Sequence, residues 1–220
     1  MGVLKLKLDR KSMLLYAITD RTWLKGATLA SQVEDTIKGG ATFIQLREKN
    51  MGFDEFVMEA KVIKKITDKY NIPFVINDNI DVALAVNSDG VHVGQDDMNA
   101  KDVRKLIGKD KIIGVSVQTV EQAILAEQNG ADYLGVGSVF PTSTKTDANY
   151  ISIKQMKEIS RAVSIPIVAI GGINENNIEK LRESGIDGIC VISAIFSKPD
   201  ILEATKRLRK LSEGIVDYEI

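Results

Sequence analysis

With 220 residues, 44% apolar and only 5% aromatic, the chain is long enough to bury one sizeable core, and no second domain is required. The formal net charge is -1 and Lys and Arg are spread along the chain, which excludes a polybasic face for nucleic acid or an anionic membrane. The single cysteine, Cys190, excludes an intrachain disulfide framework and suits a reducing cytoplasm, and its place in the apolar run GICVIS gives it a packing role.

Residues 1–12 read as an N-terminal extension. MGVLKLKLDRKS alternates lysine with leucine and lacks the apolar core and small-residue cleavage site of a secretory leader. No apolar run approaches the ~18 residues of a membrane span. Eight buried β-type runs follow: LLYAIT (14–19), FIQLR (43–47), FVIND (74–78), GVHVG (90–94), IIGVSV (112–117), YLGVGSV (133–139), IVAIGG (167–172) and GICVISA (188–194). Helix-type segments lie between them. Residues 119–128 open with Thr119 and Gln122 at capping-box spacing and carry Val120, Ala123 and Ile124 on one face. Residues 174–184 read as a helix with Asn174 as N-cap, Ile178 and Leu181 on one face, and Gly185 as the stop.

Two recurrent patterns lead into the strands and argue for an internal repeat. The second, fourth, sixth and eighth follow GGATF, NSDGV, NGADY and SGIDG, while the third and seventh share NIPFVI and SIPIVA, with proline at the strand edge. Eight units of about 27 residues, with strands apolar on both faces, predict a (β/α)8 TIM barrel of parallel strands as a single domain over 1–220. A doubly wound open sheet is the alternative, and the unit count favours the barrel.

Barrel active sites lie at the C-terminal ends of the strands, and those ends are chemically rich here. Arg47 and Lys49 after the second strand and Lys145 after the sixth supply cations; Asp78 and Asp97, after the third and fourth, supply carboxylates. Cations and carboxylates facing one pocket suit a phosphorylated ligand bridged by a metal. Mg2+ takes one or two carboxylates and completes its shell with water and phosphate oxygens, whereas zinc would want the His or Cys ligands that do not cluster here. The competing reading makes Asp78 and Asp97 caps of the helices that follow them. Their pairing on adjacent strands favours the metal. GGI at 171–173 and ISA at 192–194 occupy the place where barrels hold a phosphate through backbone N–H groups, so the rim predicts two anion sites and two phosphorylated substrates, or one doubly phosphorylated.

YAITD, QLREK, IND, HVGQDDM, GVS, GVGSVFPTSTK and AIGGI, in that order and over nearly the whole barrel, closely resemble the thiamine phosphate synthase family. The resemblance implies a transferase that joins 4-amino-5-hydroxymethyl-2-methylpyrimidine diphosphate to a thiazole phosphate, carboxylated or not, releasing pyrophosphate. It implies that Gln45, Leu46, Arg47, Glu48, Lys49 and Asn77 contact the pyrimidine diphosphate, joined by Ser116 and Lys145. It further implies that Asp78 and Asp97 bind Mg2+, and that Thr142, Ser143, Thr144, Gly172, Ile192 and Ser193 hold the thiazole phosphate. Arg47, Lys49 and Lys145 would then act electrostatically on the leaving pyrophosphate, with no acid or base residue. Ser138 departs from the family, where a proline is common before the FPT, and this bears on loop rigidity. Two other functions compete: a thiazole tautomerase-like isomerase, which in the known cases uses a histidine where this chain has Gln118, and a non-catalytic barrel that binds thiamine phosphates. The second would be expected to lose the carboxylate pair or the cations, and all are present.

Four further residues have structural readings to set beside a functional one. His92 reads as a buried strand histidine with its hydrogen bonds satisfied, and Trp23 as a loop packing anchor. Gly135 and Gly137 would either make room for a flat heteroaromatic ring or serve strand packing. The expected setting is cytoplasmic, with small-molecule partners, no nucleic acid and no membrane. A homo-oligomer is compatible with every one of these features.

Overall fold

The computed structural model describes residues 8–142 and 150–216. Eight strands, β1 (Leu15–Ile18), β2 (Phe43–Leu46), β3 (Phe74–Asn77), β4 (Gly90–Val93), β5 (Ile112–Val117), β6 (Tyr133–Val136), β7 (Ile167–Ile170) and β8 (Gly188–Val191), pair in parallel in chain order and close into a barrel. Helices α1 (Leu29–Lys38), α2 (Phe53–Tyr70), α3 (Ile80–Ala85), α4 (Ala100–Ile107), α5 (Val120–Gln128), α6 (Ile153–Ala162), α7 (Ser193–Phe196) and α8 (Ile201–Ile215) lie along the connections. Among the described residues, no helix is long and apolar enough to cross a membrane.

Alternation along the strands divides the apolar residues into two bodies. Leu15, Ile44, Leu46, Phe74, Ile76, Val91, Leu134 and Ile189 belong to the large cluster shared with the helices, while Tyr16, Ile18, Phe43, Val75, Tyr133, Val168 and Cys190 fill the barrel's interior. Both faces of each strand are therefore buried, and the strands read as unbroken apolar runs.

The repeat in the sequence has a structural counterpart at the bottom of the barrel. Thr42, Asp89, Asp132 and Asp187 stand just before the even-numbered strands. Their side chains accept hydrogen bonds from the backbone N–H groups of Leu15, Phe74, Ile113 and Ile167, at or next to the start of the preceding strand, at 2.8–2.9 Å. Each returns the bond through its own N–H to that same residue's carbonyl. Four backbone donors at the strand starts, with no ladder partner, are satisfied by one repeated device. Arg104 and Arg10 add ion pairs to Asp132 and Asp187 at 2.5 and 2.6 Å. The proline pattern also holds: Pro73 and Pro166 lack an N–H, but their carbonyls accept from Ile44 and Leu134.

Two local expectations need correction. Residues 174–184 do not form an α-helix; only Ile178–Leu181 coils, as a 3-10 turn, although both named apolar residues are fully buried. The asparagine side chains compete with the helical ladder: Asn174 Oδ1 accepts from the Asn176 N–H, and Asn177 bridges the Asn174 N–H and the Gly172 carbonyl. In α5 the capping box of Thr119 and Gln122 forms, but the buried face carries Ala123 and Ala126, and Ile124 is exposed.

Candidate active site

The top rim collects the chemistry. Asp78 follows β3 with a left-handed backbone, φ 59, an uncommon conformation that Asp tolerates better than most residues. Its N–H donates to the His92 carbonyl at 2.8 Å, which ties the turn to β4, and its Oδ2 accepts from Asn77 Nδ2 at 2.6 Å. Asp78 does not cap α3, because Asn79 does so through Val82. Asp97 does not cap α4 either, since Asn99 does, and Asp97 Oδ2 instead accepts from the Gly94 N–H at 2.7 Å.

Freed from capping, the two carboxyls face each other. The Asp78 residue stands at the exposed rim, yet its carboxyl is partly shielded from water. This desolvation, together with the neighbouring Asp97, pushes its pKa up to about 6 against the pull of Lys49. Two carboxyls set against each other are a donor set that a divalent cation can take over, with solvent and phosphate completing the shell. Among the described residues no group of three or more His, Cys, Asp or Glu converges, so a cation here would rest on this pair and its ligand.

The β2 end divides its residues by face. Gln45 points into the barrel and its Nε2 donates to the Tyr16 hydroxyl at 2.7 Å. Leu46 is wholly buried in the outer cluster, so only its backbone can reach a ligand. The Arg47 N–H is held by Thr19 Oγ1 at 3.0 Å. Glu48 turns to Arg21 at 3.1 Å, which also pairs with Glu59 at 2.9 Å; burial still raises the Glu48 pKa against the Arg21 charge.

On the opposite side, Pro141, Thr142, Gly172, Ser193 and Ala194 line a cavity of about 490 Å3, which brings the phosphate motifs together. Gly172 has φ 65, and a Cβ there would run into the carbonyls of Phe140 and Pro141, so the two loops pack backbone to backbone. Ile192 packs onto the barrel's interior cluster and lies outside this lining, where it caps the short α7. Ser143, Thr144 and Lys145 lie outside the described residues. The same cavity also holds Lys198 and Arg207, two cations that the sequence reading passed over. Their signal was weak, because both lie beyond the last strand motif, in and just before α8.

The bland readings hold for two residues. Trp23 packs against the outer cluster, and both ring nitrogens of His92 are hydrogen bonded, while burial lowers its pKa to about 4 and keeps it neutral. Gly137 serves packing, since a Cβ would strike Ile170 of β7; at Gly135 a Cβ would come within 3.2 Å of His92.

Comparison with known proteins decides the lineage. The family model described as thiamine monophosphate synthase matches residues 15–195. The chain belongs to that family. It is 58% identical to the thiamine-phosphate synthase of Clostridium tetani over 194 residues, covering 88% of this chain and 93% of that protein. It is 53% identical to that of Clostridium acetobutylicum, covering 87% and 91%. Among solved structures, thiamine phosphate pyrophosphorylase from Pyrococcus furiosus superposes with a TM-score of 0.87 at 42% identity, covering 94% of this chain and 99% of that one.

Proposed function

We propose that the chain condenses 4-amino-5-hydroxymethyl-2-methylpyrimidine diphosphate with 4-methyl-5-(2-phosphooxyethyl)thiazole, or its carboxylated precursor, giving thiamine phosphate and pyrophosphate. Family membership makes it a thiamine-phosphate synthase, a transferase acting on phosphorylated small molecules. The observation that carries the finer reading is the facing pair Asp78 and Asp97, neither used as a cap, with Lys49 close enough to draw down the Asp78 pKa.

In this mechanism the bond between the pyrimidine methylene and the diphosphate oxygen breaks first, and the electron pair leaves on oxygen. The thiazole nitrogen then closes its lone pair onto the methylene cation. No base is required, which fits a rim whose one histidine is neutral and already hydrogen bonded. Mg2+ held by Asp78 and Asp97 would supply charge neutralisation on the departing pyrophosphate. Arg47, Lys49 and Lys145 hold the same leaving group, and losing one such contact costs roughly 3 kcal/mol of barrier. The cavity at Thr142, Gly172 and Ser193 seats the thiazole phosphate, with Lys198 as further positive charge and Arg207 held beside it by Glu175 at 3.0 Å. A cytoplasmic setting accompanies this reading, supported by the unpaired, buried Cys190.

The test is to mix pure protein with both phosphorylated substrates and Mg2+ and to assay thiamine phosphate and pyrophosphate together. Both should appear in equal amounts. Asp78→Ala should nearly abolish turnover with the fold intact, and unchanged activity in saturating Mg2+ would remove the metal assignment.

A further inference from the structure

Five polar side chains cross the barrel interior in one unbroken chain. Gln45 Nε2 donates to the Tyr16 hydroxyl at 2.7 Å, Tyr16 and Tyr133 share a hydrogen bond of 2.8 Å, Tyr133 meets His92 Nδ1 at 2.9 Å, and His92 Nε2 meets Ser116 Oγ at 2.9 Å. Tyr16, Gln45 and Tyr133 are almost wholly buried and His92 nearly so. Gly114 makes the middle of the chain possible, because a Cβ there would collide with both the Tyr133 hydroxyl and His92 Nδ1.

Each hydroxyl has one proton, so the donor at one end orders every link. Tyr16 accepts from Gln45 and must donate to Tyr133. Tyr133 then donates to His92 Nδ1, which leaves the imidazole proton on Nε2, pointing at Ser116 Oγ. Ser116 thus accepts from His92, and its own proton is left to donate elsewhere; its hydroxyl makes no other hydrogen bond among the described residues. At the other end Gln45 Oε1 accepts no hydrogen bond from those residues. The chain terminates in one open donor and one open acceptor.

We propose that His92, fixed as the Nε2–H tautomer by Tyr16 and Tyr133, is a positioning residue that sets Ser116 as a hydrogen-bond donor to the pyrimidine diphosphate. The acceptor left on Gln45 suits the exocyclic amine of an aminopyrimidine, and the donor left on Ser116 suits a ring nitrogen or a diphosphate oxygen. No bond is made or broken along the chain during turnover. The proposal rests on the synthase reading for the ligand, but the order of the protons does not.

His92 is the chain's only histidine, so 15N-detected NMR of the untagged protein reports its tautomer without ambiguity and without substrate. The Nε2–H form is expected, and an Nδ1–H form overturns the proposal. In steady-state kinetics, His92→Phe should lower kcat/KM for the pyrimidine diphosphate about tenfold, the scale of one hydrogen bond. His92→Gln, whose amide can still donate to Ser116, should recover most of that loss. On a Ser116→Ala background His92→Phe should add nothing, and an equal loss on both backgrounds overturns the positioning role. Should His92→Phe fail to fold, Tyr133→Phe carries the kinetic arm: it should scramble the tautomer and reproduce the loss, and an unchanged tautomer overturns the proposal. A wild-type protein that makes no thiamine phosphate yet shows the Nε2–H tautomer would refute the ligand and leave the chain's order standing.

Discussion

Asp132 offers a clean separation of stability from catalysis. Its Oδ2 accepts from the Ile113 N–H at 2.9 Å and from Arg104 at 2.5 Å, at the end of the barrel opposite the rim. In Asp132→Ala the Ile113 donor, buried at the start of β5, loses its side-chain acceptor, which costs about 1–3 kcal/mol. Arg104 keeps the carbonyls of Gly108, Lys111 and Gly130, so the lost ion pair adds on the order of 1 kcal/mol. A total of about 2–4 kcal/mol corresponds to a Tm lowered by roughly 5–15 °C in a domain of this size. Asp132→Asn, which keeps an oxygen facing Ile113, should lose less than half as much. Urea and thermal unfolding read the stabilities, and the synthase assay at 25 °C should find kcat unchanged while the protein is folded. A Tm within about 1 °C of wild type would refute the account of the repeated acceptor. A lowered kcat in folded protein would refute the separation of the two ends.

The rim gives further expectations. Asp78 binds its proton more tightly when folded, so its contribution to stability is present below the ordinary carboxylate pKa and is lost as pH rises through about 6. His92, lowered to about 4, acts oppositely: stability falls as pH drops below 6.5, so only a comparison of variants isolates the pair. In Mg2+-free buffer Asp97→Asn should gain Tm relative to wild type as pH rises from 5 to 8, and a constant difference would argue against Asp97 as a cause of the raised Asp78 pKa. Wild-type Mg2+ affinity, measured by calorimetry, should weaken below pH 6 as the proton competes. Gly172→Ala should cost about 1–2 kcal/mol for its left-handed backbone alone and should weaken thiazole phosphate binding. Lys198→Ala should raise KM for the thiazole phosphate several-fold with little change in kcat, and a pure kcat effect would place Lys198 elsewhere.

How far the sequence could be read depends on which interactions are local. Strand positions and barrel closure were legible because eight doubly buried strands leave eight apolar runs, and the capping box at Thr119 because it spans three residues. The segment 174–184 misled because its apolar spacing is helical while two asparagine side chains, Asn174 and Asn177, bind the backbone themselves. Asp78 and Asp97 were ambiguous between capping and ligation in the sequence, and it takes the neighbouring Asn79 and Asn99, which hold the caps, to remove the capping reading. The chain from Gln45 to Ser116 was invisible as a unit, since its members come from five strands and meet only across the barrel.

The division of labour between Asn79 and Asp78, and between Asn99 and Asp97, bears on how such a rim can change over time. Each helix start is secured by an amide that keeps its shape whatever its neighbour carries. A carboxylate beside it can be exchanged without unwinding the helix behind it, so new chemistry can be sampled one side chain at a time on a scaffold that still folds.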